Sequence, residues 1–139
     1  MKKHKPQGAT MSLMASYLFV LLPFVILVIV KFAQDQSNEL LLLSDWSIAS
    51  SIIYGQLIVK LTTALAATSK SKKMPGITFN ITLLVCLGLA INIVVYVLML
   101  VMPSQNIGII QLILFVIASG FHFVYGAAVY HINKEQPVA

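Results

Sequence analysis

Four long apolar runs, each closed by a polar or proline-bearing break, set the pattern of this chain. They cover about residues 13–33, 46–67, 77–102 and 107–132. A helix rises about 1.5 Å per residue, so about 20 apolar residues cross the roughly 30 Å hydrocarbon layer of a bilayer. Every run meets that length. The breaks at 34–45, 68–76 and 103–106 are short, which favours adjacent, oppositely directed neighbours. The pattern therefore predicts an all-α integral membrane protein, with four transmembrane helices in an antiparallel bundle. Residues 1–139 read as a single transmembrane domain, because no stretch long enough for a second fold remains.

Within this pattern, Pro23 falls in the middle of the first run, where it frees a backbone carbonyl and favours a bend. Pro103 is expected to stop the third helix. Leu40–Leu43 fits either an extra turn of the second helix or a short interfacial segment. The first run exceeds the hydrophobic region of a cleaved leader, and Lys31 sits where a cut after Ala33 needs a small residue. It is expected to stay as an anchored helix. Gly120, Gly126, Ala127 and Ala128 are small enough for close helix packing.

Composition agrees. Of 139 residues, 59% are hydrophobic and 9% are charged, against about a quarter charged in soluble domains. The net charge of +5 rests on nine lysines and no arginine. Lys2, Lys3, Lys5, Lys70, Lys72, Lys73 and Lys134 flank the runs in segments that alternate crossing places on one side. The other side holds Asp35, Glu39 and Asp45, with Lys31 at the helix edge. By the positive-inside rule the lysine-rich side is cytoplasmic, with both termini inside. Trp46 and Tyr96 near one boundary, and Tyr17, Tyr125 and Tyr130 near the other, suit aromatic belts. The expected location is a cell inner (cytoplasmic) membrane, with the lipid bilayer as first partner. Lysines dispersed in this way, without arginine, exclude a nucleic-acid surface. The lone Cys86 lies inside an apolar run and forms no intramolecular disulfide.

Polar residues inside the runs carry the candidate chemistry, because a bilayer penalises them. A lysine at mid-span costs about 2.5–3.5 kcal/mol on insertion scales. Lys60 is such a residue, and Gln56, Lys60 and Thr63 share one helix face at i, i+4 and i+7. Ser47, Ser50, Ser51 and Tyr54 mark a different face nearer the outside. The fourth run carries Gln111, His122 and Tyr125, with Gln111 and His122 on one face. The third carries Asn92 and Tyr96. Depth counting pairs Gln56 with Asn92, and Lys60 with His122, as two polar layers. No Asp or Glu lies inside a run. Lys60 therefore either reaches to the headgroups, faces a hydrated cavity, or meets an anion from a lipid or another protein. His122 is expected to pack and hydrogen-bond rather than ligate. Gln56 and Asn92 are expected to join helices.

Three functions follow as expectations. The first is a non-enzymatic, oligomeric ion-conducting or membrane-depolarising pore, with helix two lining the path through Ser51, Gln56, Lys60 and Thr63. Asn92, Tyr96, Gln111 and His122 complete the pore- or partner-facing set. The alternative is an accessory, assembly or immunity-type subunit of a larger membrane complex. The third is a small-anion or quinone site. No catalytic constellation, metal-ligand spacing or cofactor motif is present in the sequence. Asp45 and His122 sit on opposite sides of the bilayer in this topology, which rules out a triad with a serine.

Overall fold

A computed structural model describes residues 7–67 and 74–134. Helix α1 spans Gln7–Ala33, α2 Asp45–Ala67, α3 Met74–Leu83, α4 Ile91–Val101 and α5 Gln105–Lys134. A 3-10 segment, Ser37–Leu42, lies between α1 and α2, and α3 passes into α4 through a π turn at Leu84–Ala90. No strand occurs among the described residues. Among the described residues, four stretches are long and apolar enough to cross a membrane: Met11–Ala33, Asp45–Ala67, Pro75–Val101 and Gln105–Ile132. Their bounds lie within two residues of the apolar runs. The lysine-bearing residues 2, 3, 5, 70, 72 and 73 lie outside the described residues.

Local chemistry explains the boundaries. Helix α1 continues through Pro23 and ends in a left-handed cap at Asp35, where φ is 55°. There Asp35 N–H donates to the Phe32 carbonyl at 3.1 Å and Gln36 N–H to the Lys31 carbonyl at 2.9 Å. This is the paired-bond closure of a Schellman motif. Lys31 then reaches over the turn to Glu39 at 2.9 Å and to Gln36 at 2.8 Å. The Leu40–Leu43 stretch is not an extra turn of α2, because the 3-10 segment stops at Leu42 and Leu43 is extended. Helix α4 ends at Val101, just before Pro103. The Ser104 hydroxyl accepts Ile107 N–H at 3.3 Å and so caps the start of α5.

The side-chain distribution is the reverse of that in a water-soluble protein. Phe19 is 84% exposed, Val124 67% and Phe79 66%, while Ser47, Ser50, Asn92, Gln111 and His122 are wholly buried. In water such a surface would be one continuous apolar liability. In hydrocarbon it costs nothing, and polar groups are the ones driven inward.

Helix α2 is the hub. Its buried positions Ser47, Ser50, Tyr54, Leu57, Leu61 and Ala64 recur at alternating spacings of three and four. On α5, Gln111, Phe115, Ala118 and His122 follow the same rule. That spacing places one seam along each helix and lets the two interlock. The α2–α5 pair is the most extensive, and α2 also meets α4, the π turn and, more lightly, α1. Val20, Phe24, Ile53, Leu57, Leu84 and Phe115 fill the centre.

Two glycines permit close approaches on which this packing depends. A methyl at Gly88 would overlap the Tyr54 ring, and one at Gly108 would overlap the Leu41 backbone carbonyl. Gly126 meets only the flexible end of Leu13, and Gly120 faces open space. Of the small residues at the end of α5, Gly126 alone is buried, while Gly120, Ala127 and Ala128 are exposed. Gly88→Ala and Gly108→Ala are each expected to cost about 1–3 kcal/mol through overpacking. Thermal unfolding of the detergent-solubilised protein should register both losses, and Gly120→Ala should leave the midpoint unchanged or raise it slightly.

Candidate functional site

Two polar centres sit at opposite ends of α2. The first, at its N-terminal end, is complete. Ser47 Oγ donates to Gln111 Oε1 at 2.9 Å, and Gln111 Nε2 donates to the Leu43 carbonyl at 3.1 Å. Trp46 Nε1 donates to the Leu40 carbonyl at 2.8 Å, which ties the 3-10 segment to α2. Trp46 also meets Phe115 edge-on, with ring centroids 5.5 Å apart. Both side-chain amide groups of Gln111 are thus used, as a buried amide requires.

The second centre lies toward the C-terminal end of α2, where α1, α2 and α5 converge. Lys60 Nζ donates to Ser16 Oγ at 3.3 Å. Ser16 Oγ lies 3.4 Å from His122 Nε2, and the same nitrogen is 3.3 Å from the Leu13 carbonyl. Ser16 Oγ donates to that carbonyl at 3.2 Å. A carbonyl only accepts, so the His122–Leu13 contact assigns the proton to Nε2, and in the neutral ring Nδ1 is then a bare acceptor. Nδ1 is buried with no partner. Tyr17 packs its ring 5.4 Å from that of His122 and donates its hydroxyl to Ser119 Oγ at 2.6 Å. Ser119 passes the chain on to the Phe115 carbonyl at 2.8 Å.

Lys60 and His122 are therefore brought together, with Ser16 as the link. Helix periodicity puts Leu13, Ser16, Tyr17, Val20 and Phe24 on one face of α1, which is why a serine and a tyrosine arrive together at the centre. Neither Ser16 nor Tyr17 was expected as a site residue. Their spacing from Val20 and Phe24 was the available signal. Among the described residues, no carboxylate lies within ion-pair distance of Lys60, and the one ion pair is Lys31–Glu39.

The Gln56–Asn92 layer does not form a hydrogen bond. Asn92 Nδ2 donates instead to the Gly88 carbonyl at 2.6 Å, within its own span. Asn92 Oδ1 and Gln56 Oε1 are both buried without a partner. Gln111 serves the opposite polar centre from His122, although they share a helix face. Ser51 donates to the Ser47 carbonyl at 2.9 Å and lines an open groove with Ile48, Ile52, Ile93 and Tyr96. Lys60 and Thr63 line another, with Val59, Ala64, Ala67 and Val129, of about 260 Å³. Helix rotation sets Ser51 about half a turn from Lys60, so the two grooves open on different flanks of α2. No grouping of His, Cys, Asp and Glu suited to a metal ion occurs among the described residues.

Gln111→Leu is expected to strand the Ser47 hydroxyl and the Leu43 carbonyl, at a cost of about 1–3 kcal/mol. The double variant Ser47→Ala/Gln111→Leu should lose less than the sum of the two single changes. A thermodynamic cycle on the solubilised protein measures that difference; strictly additive losses would mean the two groups do not interact.

Comparison with protein-family models, with curated proteins and with solved structures returns no match. The functional reading accordingly rests on the chemistry of these residues.

Proposed function

We propose that this protein is a multi-pass inner-membrane protein that conducts ions as a homo-oligomer, with one flank of α2 lining the path. It is not an enzyme in this reading. The observation that carries it is the polar flank of α2: Thr63 is exposed, Lys60 is part-exposed beside an open groove, and Gln56 Oε1 lacks a partner. A hydrocarbon environment penalises all three. A hydrated path between subunits relieves Lys60 and Thr63, which line the groove, and leaves Gln56 Oε1 enclosed. One subunit offers no such path through its own centre, which is filled by Ile53, Leu57 and Leu84. A ring of Lys60 ammonium groups favours anions. Ser51 faces another flank and has a lesser part in this version of the path.

The topology belongs to the same reading. The contacts Leu13–Gly126, Ser16–His122 and Tyr17–Ser119 run oppositely along α1 and α5. Ser47–Gln111 and Tyr54–Phe121 run in step along α2 and α5. Both relations suit an alternating four-span bundle. The lysine distribution then sets both termini in the cytoplasm.

A second reading is favoured by one observation, the absence of a described carboxylate near Lys60. In that reading the ammonium docks against an acidic group of a larger membrane protein, and this chain is an accessory subunit.

Induced expression in bacteria with a membrane-potential dye separates the two. Depolarisation by the wild type that is lost in Lys60→Leu and reduced in Gln56→Leu, at matched protein level, is the expected result. No depolarisation by the wild type would remove the pore and leave the accessory reading, in which a partner co-purifies. Reporter fusions after Ala139 and within 36–44 should report opposite sides; the same side for both would overturn the topology.

A further inference from the structure

The groove at the C-terminal end of α2 has a chemistry of its own. Four of its five α2 lining residues, Lys60, Thr63, Ala64 and Ala67, stand at i, i+3, i+4 and i+7 and so form one continuous strip. The strip climbs about 10 Å from Lys60 to the helix end. Val59 and Val129 wall it. The small side chains of Ala64 and Ala67 leave it open toward the membrane boundary. A lysine stem lies along such a strip with its ammonium directed to the headgroup level. The ammonium has three protons. One is committed to Ser16, and two remain for an outside acceptor. No described carboxylate competes for them. Beyond Ala67 the sequence continues to Lys70, Lys72 and Lys73, and lysines beside a span concentrate anionic lipid at that leaflet.

We infer that this groove binds an anionic phospholipid, with the phosphate on Lys60 and Thr63 and an acyl chain along Val59 and Val129. The Lys60 ammonium donates to the two non-bridging phosphate oxygens while keeping Ser16, and the Thr63 hydroxyl donates to one of the same two. Binding stabilises the one cation inside the spans without a carboxylate. The inference goes beyond conduction and does not require it. Where the same flank lines a path, lipid phosphate and permeant anion compete for one ammonium.

Native mass spectrometry of the purified full chain tests this with phosphatidylglycerol and phosphatidylcholine of matched acyl chains. Phosphatidylglycerol is expected to bind in preference. Lys60→Gln should weaken it about fivefold and leave phosphatidylcholine unchanged. Ala67→Leu, at an exposed position, should weaken it as well by filling the groove with the charge intact. Unchanged circular dichroism and gel-filtration behaviour certify that both variants fold. Equal binding of the two lipids, or equal phosphatidylglycerol binding by wild type and Lys60→Gln, would overturn the inference. Displacement by millimolar inorganic phosphate would overturn the lipid source and leave a free-phosphate site. These measurements need no current, so a protein that binds lipid but fails to depolarise cells separates this inference from the proposed pore.

Discussion

A polar atom inside hydrocarbon has only the protein to bond with, and the rest of this structure depends on that constraint. Apolar contacts cannot decide which helix faces meet, because lipid tails are as apolar as leucine. The polar side chains decide it. Ser47, Gln111 and the Leu43 carbonyl must find one another, and in doing so they set α2 and α5 in step. Trp46 and the Leu40 carbonyl then hold the 3-10 segment against the start of α2. Gly108 lets the Leu41 backbone come close to α5. The packing of large apolar residues such as Ile53 and Leu84 follows from this register.

The two ends of α2 meet the constraint differently. At the Ser47 end both the oxygen and the nitrogen of the Gln111 amide are bonded, which makes that end an anchor. Toward the Lys60 end a cation has a single weak acceptor, and two acceptors, His122 Nδ1 and Gln56 Oε1, have no donor. Natural proteins concentrate such unmet requirements where they act. The asymmetry is why both the proposed path and the proposed lipid site rest on the second centre and not on the first.

Much of the architecture was legible from the chain. The spans could be read because hydrocarbon thickness fixes helix length, and the stop at Pro103 because proline cannot continue a helix. The meeting of Lys60 and His122 could be read because depth is counted from helix ends. Its mediator could not: a serine such as Ser16 costs little inside an apolar run and gives no hydropathy signal. The Gln56–Asn92 bond fails to form for a different reason: counting depth puts two residues at one level but does not say which acceptor a side chain takes, and Asn92 Nδ2 takes the Gly88 carbonyl one turn back in its own span. The interlocking seams were present as small and polar residues at spacings of three, four, seven and fourteen, Ser47, Ser50 and Ala64 on one helix and Gln111, Ala118 and His122 on the other. That spacing is informative in a membrane for the same reason hydrophobicity is not.

What Lys60 needs can be put as a balance of magnitudes. Insertion of a lysine at the centre of a span costs about 2.5–3.5 kcal/mol, an upper bound for Lys60, which lies seven residues from the end of α2. A hydrogen bond involving a charged group returns about 1.5–3 kcal/mol at good geometry, and the 3.3 Å contact with Ser16 is a long one. The chain by itself therefore leaves part of the cost standing. A permeant anion, a lipid phosphate and a partner's carboxylate all meet the same shortfall with one negative charge. They differ in how that charge arrives: through water, from the leaflet, or on another polypeptide. The groove lined from Lys60 to Ala67 reaches the C-terminal end of α2, and a negative charge held in the leaflet can enter there without water or a second polypeptide.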